Sequence, residues 1–328
     1  MELPGRAVLS ALLRELARAP KATFSARVTP DLHDASPFLG KARWNEARTV
    51  IRQREEMVVD RLRVPGQYWL TLRLDGCGFK RFVRRCDQAS LIATSSYSSE
   101  IADLMRRCCE ALCREYSAGF AYTQSDEMTI VVSPGRVIND LQTPHVFNGR
   151  IMKLCSTASS LAAVTMAKGL ERLRRKRGLD HSEALDEIVP IFDCRVGVFE
   201  TLDEALSVIL WRAYDCGVNG VADAVYQQRC AYSDAMQVAR QNTGTKLEWL
   251  AERMLLPLPA HQAYGSFFVK VKQFKDAVNP ITQQAVLCER STWEHSSFNV
   301  LSAFADGRLA RILERRPITC DVSSDSCI

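Results

Sequence analysis

The residues Leu70, Leu72 and Leu74 alternate with Thr71 and Arg73 in the run QYWLTLRLDG, which stops at Asp75-Gly76. This period-two pattern with aromatic and apolar content reads as a strand over 68–74. Residues 98–116 follow with Ile101, Leu104, Met105, Cys108, Leu112 and Cys113 on one helical face and Ser98 or Ser99 placed to cap it. Two short β-rich runs, 120–123 and 128–132, are joined by Gln124-Ser125-Asp126-Glu127 and read as a hairpin. A second helical stretch over 148–176, rich in Leu, Ala, Met and Lys, leads to a fourth strand over 191–199. The order β-α-β-β-α-β is the ferredoxin-like, split βαβ arrangement, an α/β (α+β) fold. Right-handed crossovers then make the first strand and the second hairpin strand antiparallel neighbours at the sheet centre. The end of one faces the start of the other, which brings Asp75 and the Ser125-Asp126-Glu127 turn to the same end of the sheet.

Carboxylates so placed suit two Mg²⁺ ions, hard cations that take carboxylate, carbonyl and phosphate oxygens and align an in-line phosphoryl displacement. Gly76 and Gly78 leave backbone groups open to metal or phosphate. Taken alone, Asp-Gly is turn chemistry and Asp126 an ordinary hairpin residue. The two aspartates together on this topology favour catalysis.

These residues carry a resemblance. RLDGCGFKRF resembles the RLDGRxFHRF segment of the tRNA-His guanylyltransferase family, and AYTQSDEMTIVV resembles its AYGQSDExSFVF segment. KARWNEARTVIRQRE, FNGRIMKLCSTASSLAA, FDCRVGVF and WRAYDC match further family segments in order, so that the likeness runs over roughly 41–270. It implies a polymerase-like palm with helical additions that adds nucleotides to RNA 5′ ends in the 3′-to-5′ direction. It further implies that Asp75, the Gly76 carbonyl and Asp126 hold two metal ions, that Glu127 supports them, and that Gly76, Gly78, Phe79, Lys80, Ser125 and Lys153 meet the nucleotide. Its substrates would be tRNA, ATP and GTP or other nucleoside triphosphates, and its assembly a homotetramer. On its own, Lys153 reads more often as a solvated charge than as a ligand, on a helix that also carries Arg150 one turn earlier.

The chain also departs from the pattern. Cys77 and Lys80 stand where the family has Arg and His. After WRAYDC, eukaryotic tRNA-His enzymes continue HINNLYN, whereas Gly217-Val218-Asn219-Gly220-Val221-Ala222-Asp223 follows here and retains only Asn219. Losing the His and the aromatic removes groups that read unstacked bases. The expectation is therefore template-dependent repair of truncated tRNA 5′ ends, in preference to addition of one guanosine to tRNA-His. An RNA-binding palm that has lost catalysis and a nucleotide cyclase on the same palm are the other readings, and retention of Asp75, Asp126 and Glu127 opposes the former.

Background composition permits all of this. With 47% hydrophobic and 25% charged residues in 328, the chain is long enough for two domains or one enlarged one, and no apolar run reaches membrane-spanning length. A net charge of +5 allows RNA binding without establishing it. Basic residues cluster locally at Lys80, Arg81, Arg84 and Arg85 and again in LRRKR at 173–177. The 12 cysteines include no C-x-x-C pair and the five histidines no ligand spacing, which argues for core cysteines over zinc or disulfides. Residues 1–40 read as an N-terminal extension whose first 28 residues combine Arg6, Arg14, Arg18, Lys21 and Arg27 with a leucine-rich face, either a mitochondrial presequence or a helix packed on the body. Localisation is thus expected to be mitochondrial or cytoplasmic. The palm is expected over 41–200, a helical, tRNA-interacting region over 201–290, and a tail of no assigned role over 291–328.

Overall fold

The computed structural model describes residues 5–18, 41–57, 63–92, 97–180 and 187–314. Its centre is the antiparallel ladder between β1 (Trp69–Gly76) and β3 (Glu127–Val132), which runs in register from Leu70↔Val132 to Asp75↔Glu127. Strand β2 (Phe120–Gln124) pairs with the other edge of β3, and β4 (Phe192–Phe199) pairs with the other edge of β1. This is the expected split βαβ palm. The hairpin is tighter than its sequence suggests, because Gln124 and Glu127 pair with each other and leave Ser125 and Asp126 as a two-residue turn. Strand β1 likewise pairs as far as Gly76, so Asp75 is a paired strand residue with a fixed direction.

Alternation along β1 sorts the sheet into two faces. Leu70, Leu72 and Leu74 join one core with helices α3 (Phe79–Gln88), α4 (Ser99–Tyr116) and α5 (Ile151–Lys176). All six apolar residues expected on the face of α4 are buried there, and Ser98 is its N-cap, accepting from the Ile101 amide at 3.3 Å. Helix α3 was not foreseen. Helix α5 begins later than expected because Phe147, Asn148 and Gly149 adopt left-handed backbone.

The opposite face packs on α1 (Arg6–Arg18), α2 (Lys41–Met57) and α6 (Leu202–Gln227), whose apolar residues form a second core with Phe120, Tyr122, Val131 and Phe199. Helix α1 docks through Leu9, Leu12 and Leu13. Thr201 caps α6 by accepting from the Glu204 amide at 3.2 Å, while Glu204 Oε2 accepts from the Glu200 amide at 3.0 Å. Glu204 has a second task. Fully buried Arg54 on α2 donates through Nη1 to Glu204 Oε2 at 2.7 Å and through Nη2 to Oε1 at 3.2 Å, clamping α2 to the start of α6.

The stretch 201–290 is not helical throughout. After α7 (Thr243–Glu252) and α8 (Ala260–Tyr264), the chain forms two long strands, β5 (Ser266–Val278) and β6 (Ala285–Ser296), giving the sheet order β4-β1-β3-β2-β5-β6. Beyond position 296 the expected tail folds into α9 (Val300–Ala305) and α10 (Arg308–Leu313), which bury Val300, Leu301 and Leu309 in the second core. Neither strand alternates cleanly, because β5 pairs with β2 only over Ser266–Val269 and β6 covers no further neighbour. Their outer halves are solvated on both faces, so no burial period is written into them. Among the described residues no helix is long and apolar enough to cross a membrane.

Removing one member of the buried clamp leaves an uncompensated charge, a loss of about 3 kcal/mol or more. Arg54→Met is therefore expected to lower the denaturant midpoint strongly. The double variant Arg54→Met/Glu204→Leu should recover much of the loss. Equal stability of Arg54→Met and the parent in urea titrations would refute the clamp.

Candidate active site

Because Asp75 pairs with Glu127 on one side and Asp193 on the other, three carboxylates cross three adjacent strands in one row. Directly opposed residues share a face, so all three lie on the α6 side of the sheet. The adjacent row on that face is Arg195–Arg73–Thr129. In sequence terms, R-L-D on β1 runs antiparallel to D-C-R on β4, which aligns acid with acid and base with base. Like charges directly opposite repel, and each row is tolerable only because the other lies beside it.

Glu127 is the best compensated of the three. It is buried, and Arg73 Nη1 donates to its Oε1 at 3.3 Å while Arg212, from α6, pairs with its Oε2. Burial raises the Glu127 carboxyl above its ordinary range, and the two guanidiniums oppose that rise. Arg212 also donates to Asp215 at 2.6 Å and lies over the Trp211 ring, 4.7 Å from its centroid. With both oxygens held by arginines, Glu127 anchors the turn that carries Asp126 to β1 and α6.

Asp75 and Asp126 lack such partners. Burial raises the Asp75 carboxyl, Asp193 raises it further, and Arg195, Arg73 and Arg212 counter only in part. Asp126 is raised by burial and then by Asp75, with a hydrogen bond from Ser125 among the opposing influences. Ser125 holds left-handed backbone at φ 48°. The Gly76 amide donates to the Asp126 carbonyl at 3.0 Å, which ties the two aspartate-bearing segments together. A Cβ on Gly76 would stand 2.4 Å from the Phe79 ring and 3.1 Å from the Asp126 Cβ. Gly78, at φ +63°, caps α3.

The other expected residues lie around this pair. Phe79 is buried, its ring 4.9 Å from that of Phe82, so its backbone is the part left to meet a nucleotide. Lys80 is exposed on the first turn of α3. Lys153 is exposed on the first turn of α5, its ammonium 4.7 Å from the centroid of the Phe147 ring. It sits on the other face of the sheet from Asp75. Two residues on, Cys155 hydrogen-bonds to Cys194, the neighbour of Asp193, which places this turn near the carboxylate row. Sequence reasoning missed Arg73, Asp193 and Arg212 as site residues. For the first two the signal was available, since parity places Arg73 beside Asp75 and the antiparallel register does the same for Asp193.

Among the described residues no three His, Cys, Asp or Glu side chains converge in a geometry that holds a metal by themselves. The donor set fits Mg²⁺ nonetheless, because that ion is held through one or two carboxylates and completes its shell with water and substrate phosphates. Asp75 and Asp126, with the Gly76 carbonyl, would supply such oxygens, and a divalent cation would relieve the charge their arginine neighbours leave only partly compensated.

Raised folded-state pKa values have a stability consequence of definite sign. A carboxyl that holds its proton more tightly folded than unfolded destabilises the fold as pH rises through that interval, and the penalty is complete at neutral pH. Asp75→Asn and Asp126→Asn are therefore expected to raise the melting temperature of metal-free protein at pH 7. The gain should vanish as pH falls below 3.8, the ordinary value for the group. Lower melting temperatures for both variants at pH 7 would contradict the electrostatics described.

Residues 49–200 match the family model for tRNAHis guanylyltransferase, Thg1. Among solved structures, a bacterial tRNA(His) guanylyltransferase (Thg1)-like protein in complex with ATP superposes with a TM-score of 0.56 at 19% identity, covering 80% of this chain and 97% of that one. A bacterial Thg1-like protein in complex with GTP gives 0.51 at 18% identity, covering 80% and 98%. A curated relative, uncharacterized protein R259 of Acanthamoeba polyphaga mimivirus, is 27% identical over 169 residues, 48% of this chain. The chain spans 56% of that relative's length. Residues 49–200, the stretch that holds the four palm strands and the carboxylate row, belong to the tRNAHis guanylyltransferase (Thg1) family.

Proposed function

We propose that the protein is a nucleotidyltransferase that adds nucleotides to tRNA 5′ ends in the 3′-to-5′ direction. The observation that carries this reading is the pair Asp75 and Asp126, half-buried and only partly compensated at the end of a palm sheet within the family-matched segment. Solved proteins of similar fold are described with ATP and with GTP, which suits a site for nucleoside triphosphates. In the reaction proposed, the tRNA 5′-monophosphate attacks the α-phosphate of ATP and releases pyrophosphate. The 3′-hydroxyl of an incoming nucleoside triphosphate then attacks the activated 5′-phosphate and releases AMP. Bound Mg²⁺ would supply charge neutralisation for both displacements. The chain's own part is positioning. Asp75, Asp126 and the Gly76 carbonyl hold oxygens at the sheet end, Ser125, Gly78, Lys80 and Lys153 bind phosphate, and Arg73 and Arg212 fix the turn through Glu127.

We further propose template-dependent repair as the physiological task. The segment 217–223, where tRNA-His enzymes carry base-reading groups, lies inside α6. Gly217, Gly220 and Val221 are buried there, and a Cβ on Gly220 would stand 2.2 Å from the Gln262 carbonyl of α8. It is a packing surface, with Asn219 exposed on its outer side. Assembly as a homotetramer belongs to the same reading.

Asp75→Ala and Asp126→Ala are expected to cut nucleotide addition about a hundredfold or more, the scale for loss of one electrostatic stabiliser, with the fold retained. Near-parental rates with Mg²⁺ in either variant would defeat the assignment. Lys153→Ala should raise the nucleotide concentration required far more than it changes tRNA affinity, since it removes a point charge from phosphate. Unchanged nucleotide dependence would return Lys153 to the solvent. For the templated reaction, 5′-truncated tRNAs with altered anticodons and altered opposing nucleotides are compared. Extension should follow the opposing nucleotide. Dependence on the His anticodon with indifference to the template would restore addition of a single guanosine.

A further inference from the structure

Two basic ridges lie on helices that join at their C-terminal ends, and one of them, α3, begins next to the carboxylate site. Helix α3 starts three residues after Gly76 and turns its buried residues Phe79, Phe82, Val83 and Cys86 inward. Lys80, Arg81 and Arg84 are left on its exposed face. On α5, Lys168, Arg172 and Lys176 recur every fourth position, which stacks them on successive turns of one exposed face. The two helices are joined where they end. Arg177 Nη1 donates to the Ser90 carbonyl, just past α3, at 2.6 Å, and Arg177 Nη2 pairs with Glu100 at 2.9 Å.

A solvated basic face normally intersperses acids with its lysines and arginines. Here the nearby acids Glu171 and Glu100 are taken by Arg174, Arg175 and Arg177, and Asp87 in the last turn of α3 is that helix's one acid against its four lysines and arginines. Among the described residues none of the six ridge side chains has an ion-pair partner. Arg85, next to Arg84, donates to the Glu187 carbonyl at 3.1 Å and is thereby directed off the ridge. Uncompensated positive charge on two adjoining helices, running outward from the point where Asp75 and Asp126 receive a 5′ end, complements one kind of partner, a polyanion that enters the site end-on.

We infer that the ridge formed by Arg84, Arg172 and Lys176, with Lys80, Arg81 and Lys168, is the track for the phosphate backbone of the base-paired RNA stem whose 5′ end is extended. This rests on the proposed function and adds to it the surface that binds the substrate's body. Backbone contacts of this kind position the nucleic acid without reading sequence, so the track serves stems of any identity. That agrees with a task directed by template.

The test is tRNA binding by fluorescence anisotropy over a salt series, without nucleotide turnover. The triple variant Arg84→Ser/Arg172→Ser/Lys176→Ser should bind at least about tenfold more weakly at low salt. Its log–log salt slope should be shallower by roughly 2, since each phosphate contact contributes roughly 0.7–0.9. Melting temperature and ATP affinity should stay at the parental values. A control that removes three exposed cations elsewhere, Arg14→Ser/Arg52→Ser/Arg311→Ser, should keep parental RNA affinity. Unchanged affinity and slope in the ridge variant, or an equal loss in the control, would overturn the track while leaving the proposed function standing. Parental protein that binds no RNA would overturn both.

Discussion

The architecture turns on the cost of placing like charges side by side in a sheet. Asp193, Asp75 and Glu127 occupy one row across β4, β1 and β3, and a sheet centre of this kind would normally exclude them. What makes the row tolerable is graded compensation. Glu127 receives two guanidiniums, Asp193 pairs with Arg195 at 3.2 Å, and Asp75 has the through-space charge of Arg195, Arg73 and Arg212 without a salt bridge. The gradient leaves the charge deficit at Asp75 and Asp126. Residues that look merely structural, Arg73 and Arg212 above all, thus set where the unbalanced negative charge resides.

The same arginines link the site to the second core. Arg212 lies on α6 within the turn after Trp211, which is buried on that side, so the position of the Asp126 turn depends on how α6 seats against the sheet. The seating of α6 in turn depends on its capped first turn and on the Arg54–Glu204 clamp to α2. A chain of ionic contacts therefore connects helices outside the palm to a two-residue turn inside it.

How much of this was legible before the structure depended on whether burial left a period in the sequence. Strands β1 to β4 and helix α4 are packed on defined faces, and Leu70-Leu72-Leu74 or Ile101 to Cys113 record those faces directly. The pairing of Asp75 with the Asp126 turn followed from element order alone. The ribbon of β5 and β6 escaped because its outer half has no buried face to record. Helix α3 was hidden behind a run of four basic residues that read as charge before it read as amphipathic. Arg212 could not be assigned from sequence because its partner Glu127 lies 85 positions earlier and meets it only through tertiary packing.

The ribbon has a consequence for how the molecule holds together. From Val271 outward, β5 pairs with β6 alone, whereas Ser266–Val269 also pair with β2 and the Lys270 amide donates to the Gly119 carbonyl at 2.9 Å. A two-stranded ribbon without a covering layer is marginal by itself. The cooperative unit of the sheet is accordingly expected to stop near Lys270, with the outer arm opening as a local event and its amides exchanging independently of the palm.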